Sequence, residues 1–144
     1  MSIGWSELWS AAGVIVGLQG ATIAHRVHGR GEGAGTHERG GQVLRTWLPP
    51  AEFLSLASML VIVLGTFIVP VFLSTSLRFA RFAFGLGLLF FIGHVVALAG
   101  HYEMFNPNTT RKPRPFPVQE QIVIAIVLLC AIAYIVLALT RSDI

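Results

Sequence analysis

The side chains able to do chemistry in this sequence are a few histidines and glutamates, and their spacing narrows what that chemistry is. His25 and His28 stand three residues apart, so on a helix both imidazoles point to one side. Ala80, Gly87, His94 and His101 recur at seven-residue intervals, which aligns two small residues and two histidines along one helical stripe. Glu52 and Glu120 each follow a proline, Pro49 and Pro117, by three residues.

Three chemistries suit these groups. Neutral imidazoles bind transition metals, so His25, His28 and His101 form a candidate metal set. Haem iron accepts axial histidine, so a b-type haem is a second candidate, held between His25 on one helix and His94 or His101 on another. His94 and His101 cannot share one iron, because seven residues at about 1.5 Å of rise put them roughly 10 Å apart along a single helix. The third candidate is a proton or ion path with His94 as its deep titratable group and Glu52 and Glu120 at its mouth. Ser55, Met59 and Thr66 continue the Glu52 stripe and would line it.

Against all three stands a plainer reading. His25 and His28 are interfacial, Glu52 and Glu120 neutralise the positive ends of their own helices, and His94 hydrogen-bonds inside a bundle. No serine or cysteine is paired with a base in a recognisable local motif, so the expectation is a protein that is not an enzyme.

The elements that position these groups follow from the charge pattern. Residues 8–24, 53–77, 82–100 and 121–140 carry no Asp, Glu, Lys, Arg or His apart from His94, and each stretch is 17 to 25 residues long. A helix needs about 20 apolar residues to cross a bilayer. With 54% hydrophobic residues, 12% charged residues and a mean hydropathy of +0.72, the chain has little material left for a soluble domain. The prediction is an all-α integral membrane protein, an up-down-up-down bundle of four transmembrane helices over about 5–27, 50–73, 77–102 and 117–140, forming a single domain over 1–144. Connection 29–46 is glycine-rich and reads as flexible, and connection 106–116 is proline-rich and basic. Lacking a preceding strand and a Lys-Ser/Thr pair, the glycine-rich stretch fails the test for a phosphate-binding loop.

Punctuation supports this layout. Trp5 and Trp9 are placed as interfacial aromatics, Pro49 and Pro50 open the second span, and Pro70 is expected to kink or end it. Ser74, Thr75 and Ser76 offer capping hydroxyls to the third span. Cys130, alone in the chain, lies in the fourth apolar stretch and reads as a small packing residue. The net charge of +3 comes from residues flanking spans, which points to lipid headgroups and membrane sidedness, with no nucleic acid partner. Seven Lys and Arg fall on the side of connections 29–46 and 106–116 and three on the other, so those connections are expected in the cytoplasm and both termini outside.

Gly13, Gly17 and Ala21 form a small-residue row on the first span, and Gly87 lies in the corresponding stripe of the third. Such rows let another helix's backbone approach closely, with ordinary packing inside the bundle as the first expectation for this one. The function expected from the whole pattern is a small polytopic accessory or interaction subunit of a membrane assembly, its partners being lipid and other membrane proteins or itself. A haem b or transition-metal redox component and a small proton or ion transporter are the alternatives.

Overall fold

The computed structural model describes residues 4–33, 50–101 and 118–140, and it is the all-α bundle expected, with four helices long and apolar enough to cross a membrane. The first span is α1, Trp5–Gly33. The second is a continuous rod made of α2, Pro50–Ile62, a π-helical segment, Val63–Ile68, and α3, Val69–Leu73. The third is α4, Leu77–His101, and the fourth is α5, Val118–Thr140.

Contacts fix the register. Trp9 meets Thr66 and Gln19 meets Ser55, so α1 runs antiparallel to the second span. Ser58 meets Gly87 and His94 meets Ala51, which sets α2 antiparallel to α4. Gly93 lies against Val127 and Gly100 against Gln119, which does the same for α4 and α5. Neighbouring spans therefore alternate in direction along the chain.

Small residues decide how close the helices come. Ala80, Ala83, Gly87 and Ala97 are buried on α4, and a Cβ added at Gly87 would collide with Ile62 and crowd the Ser58 carbonyl. Ala51, Leu54, Ala97 and Val127 form the buried apolar cluster, with Phe90, Val123 and Ile124 packed on it. Outward, residues such as Leu60, Phe72, Leu129 and Ile132 are exposed, as expected where lipid is the solvent.

Several boundaries differ from the sequence reading. α1 continues beyond residue 27 into the stretch expected to be a connection, because each residue added to a running helix gains a hydrogen bond without a new nucleation cost. The rest of 29–46 and all of 106–116 lie outside the described residues. Pro70 does not end the second span, which stops at Leu73, with Ser74 in the left-handed conformation at φ 49°. Disturbed pairing appears just ahead of the proline instead, as the π segment. Ser76 caps the third span as expected, its Oγ accepting from Phe79 N–H at 3.3 Å. Cys130 is exposed on α5, which corrects its reading as a packing residue: the fourth span touches the bundle through only part of its surface.

Candidate functional site

Seven polar or ionisable side chains are buried among the described residues: Gln19, Glu52, Ser55, Ser58, Thr66, His94 and Glu120. Polar groups in hydrocarbon are costly unless paired, so their partners decide what they are for. Among the described residues, side-chain hydrogen bonds between helices end on backbone groups of Thr66, Ser55, Ala51, Gly87 and Phe82.

The start of α2 collects two of them. Pro50 has no N–H, and Ala51, the next residue, has one that no earlier carbonyl of its own helix accepts. Glu120 of α5 supplies the acceptor: its Oε1 takes the Ala51 N–H at 2.7 Å. Glu120 is itself in the first turn of α5, so this fully buried carboxylate lies at the positive ends of two helices. The expectation that it serves only its own helix is too narrow. Ala51 also engages α4, because His94 Nδ1 lies 2.8 Å from the Ala51 carbonyl oxygen. A carbonyl can only accept, so Nδ1 carries the hydrogen. Glu52, the next residue, is buried as well, and three spans thus meet around one residue, Ala51.

Further along the second span, Ser58 Oγ donates to the Gly87 carbonyl at 2.7 Å, which the absence of a side chain at Gly87 permits. Gln19 Nε2 donates to the Ser55 carbonyl at 3.5 Å. Near the other end, Thr66 Oγ1 donates to the Ile62 carbonyl. The Thr66 carbonyl would receive its α-helical hydrogen bond from residue 70, and Pro70 has no N–H to give. The Trp9 indole takes that place, donating to Thr66 O at 3.0 Å. An aromatic placed as an interfacial anchor therefore also repairs a proline defect in a neighbouring span.

The sequence-nominated sites separate accordingly. Glu52, His94 and Glu120 come together around Ala51. His25 is exposed on α1, whereas His94 is buried. The side chains of His28 and His101 lie outside the described residues, and so does the metal set that requires them. Among the described residues no group of three or more His, Cys, Asp or Glu is gathered for a metal. Beside His94 the helices are in close contact: a Cβ at Gly93 would stand 2.5 Å from Val127, and one at Gly100 would stand 3.1 Å from the backbone of Glu120. Helices drawn together in this way leave no slot of porphyrin thickness between α4 and α5. Of the polar stripe on the second span, Ser55 and Thr66 are buried, while Met59 is half-buried.

Gly87 is enclosed, but Gly13 and Gly17 have nothing within 4 Å of a Cβ, and Ala21 is exposed. The first-span row faces away from the other three spans, because Leu8, Ala12 and Gln19 form the buried edge of α1. Packing against another span of this chain is therefore not its role.

Sequence reasoning missed Gln19, Ser58 and the Trp9–Pro70 relation. Pro70 is the usable signal for the last, since it frees a carbonyl four residues earlier that needs a donor from elsewhere. No protein-family model matches the chain, and neither a curated protein nor a solved structure matches it.

Proposed function

We propose that this multi-pass membrane protein is a non-enzymatic interaction subunit that presents the outer face of α1 to a transmembrane helix of another membrane protein or of a second copy. One contrast carries the reading. Every described glycine in the other three spans, at 65, 85, 87, 93 and 100, meets a neighbouring side chain or backbone within 4 Å, whereas Gly13, Gly17 and Gly20 of α1 meet nothing. In this bundle glycine accompanies close helix approach, and for α1 the approaching helix must come from outside the chain. The interior polar groups fit a supporting role, since their bonds to backbone groups join the spans into a fixed presenting surface. We further propose that both termini face outside, with the first and third connections in the cytoplasm, from the seven-to-three distribution of Lys and Arg.

The test is a Gly13→Leu/Gly17→Leu double variant, purified from its native membrane in mild detergent beside the wild type. The expected result is an intact helical bundle that has lost a co-purifying partner or its own dimer. Retention of the same assembly by the variant would overturn the proposal. A Gly13→Cys crosslink in a Cys130→Ser background then separates the two partners: self-association gives a disulfide dimer.

A second reading rests on the burial of Glu52, His94 and Glu120 around Ala51, as expected for a group of residues handling protons. Under it, purified protein in liposomes shows a pH-dependent current that His94→Ala abolishes. The interaction reading expects no current.

A further inference from the structure

We propose that Gln19 marks an internal binding site for a small neutral hydrogen-bond donor, an ordered water molecule, held between α1 and the second span. The proposal goes beyond the interaction role and stands whether or not the outer face of α1 recruits a partner.

Gln19 is 2% exposed in the middle of a membrane span, six residues or about 9 Å from His25 along α1. An amide has two donors and one acceptor oxygen to satisfy. The Nε2 group reaches the Ser55 carbonyl at 3.5 Å, the long limit of a hydrogen bond. The Oε1 atom is buried and has no hydrogen-bond partner. Exchanging the two amide atoms does not help, because it would set Oε1 against the Ser55 carbonyl, acceptor facing acceptor.

The contacts of Trp9, Glu120, Ser58 and His94 are shorter, from 2.7 to 3.0 Å, and the Tyr134 hydroxyl, which reaches the Phe82 carbonyl at 3.5 Å, leaves no buried atom without a partner. Gln19 alone among them is left with an unsatisfied oxygen and a stretched donor contact. A buried carbonyl in that condition bears the full desolvation penalty of its oxygen with no bond to offset it. Lipid tails cannot supply a donor, and a helix packing from outside cannot reach an enclosed atom. What satisfies Oε1 must therefore be small and lie inside the bundle. The chemistry favours a neutral O–H donor: a metal or ammonium ion requires several oxygens and a counter-charge, and the neighbouring Ser55 carbonyl already accepts from Gln19. Structural waters of this kind make about three hydrogen bonds to otherwise unsatisfied groups.

The experiment uses the full chain in detergent micelles with glutamine side chains selectively labelled with nitrogen-15. The glutamines are Gln19, Gln42, Gln119 and Gln121, so the Gln19 signal is the one lost in Gln19→Leu. Should that variant fail to fold, glutamate substitutions at the other three assign it by elimination. A rotating-frame cross-peak of dipolar sign between the Gln19 amide protons and water supports water as the occupant. A saturable shift of the Gln19 signal on adding ammonium chloride, not reproduced by sodium chloride, would show a cation there and overturn the proposal. A Gln19 amide showing no cross-peak to water, or only one of exchange sign, would also overturn it.

Discussion

Trp9 and Pro70 should be energetically coupled although they lie on different spans, and the size of the coupling follows from one carbonyl. Thr66 is fully buried, its oxygen has lost its α-helical donor to the proline, and the Trp9 indole supplies the replacement at 3.0 Å. Interhelical hydrogen bonds in membranes average about 0.6 kcal/mol and reach about 1.7 kcal/mol, while a stranded buried carbonyl costs about 1–3 kcal/mol. Because Pro70 removes the α-helical donor to this oxygen, the upper part of the first range applies. Trp9→Phe keeps an aromatic ring beside Trp5 and Phe67, whose centroids lie 5.8 and 6.4 Å away, and removes the donor. It should cost about 1.5 kcal/mol, roughly a tenfold loss in the folding equilibrium constant.

In a Pro70→Ala background, residue 70 again has an N–H to give to Thr66 O. There the same substitution should cost no more than about 0.5 kcal/mol, since only ring packing is lost. The assay is reversible unfolding of the four single and double variants in mixed micelles with rising SDS, followed by circular dichroism because tryptophan fluorescence changes with the mutation. Independent sites add within about 0.3–0.5 kcal/mol. A coupling energy inside that scatter would refute the claim that the indole repairs the proline defect.

Glycine position should decide the sign of two further substitutions. Gly87→Ala drives a methyl into Ile62 and the Ser58 carbonyl and should destabilise the bundle by more than about 1 kcal/mol, the usual range for overpacking. Gly13→Ala should leave monomer stability unchanged or raised by up to about 1 kcal/mol in the same SDS titration, because nothing lies near the new Cβ and alanine is the better helix former. Ser58→Ala removes the donor to the Gly87 oxygen and should cost about 0.6–1.7 kcal/mol. At the other end, Glu120→Ala leaves the Ala51 N–H without its acceptor and should expose that amide to faster hydrogen exchange, whereas Glu120→Gln retains an oxygen and restores much of the protection. Equal exchange in the two Glu120 variants would show that the carboxylate does not hold the α2 terminus.

The existence, number and approximate bounds of the four spans were legible in the sequence because they depend on composition alone: a long uncharged run in a chain this apolar has no stable solvent but hydrocarbon. Proline and serine at span ends were legible for a similar reason, since caps and first turns are local chemistry. The nearness of Glu52, His94 and Glu120 was partly legible, because the alternation of directions brings the two helix starts and the end of α4 to one level. What those residues touch was not. Glu120 serves the N-terminus of α2 as well as its own helix, His94 donates to Ala51, and Gly13 and Gly17 face away from the bundle. Each of these depends on the rotation of a helix about its axis. In a membrane that rotation is set weakly by hydrophobic pattern, since lipid and helix interior are alike in polarity, and strongly by close backbone packing and a few hydrogen bonds to backbone groups on other spans. A linear pattern names which residues share a face; only the assembled helices decide what that face meets.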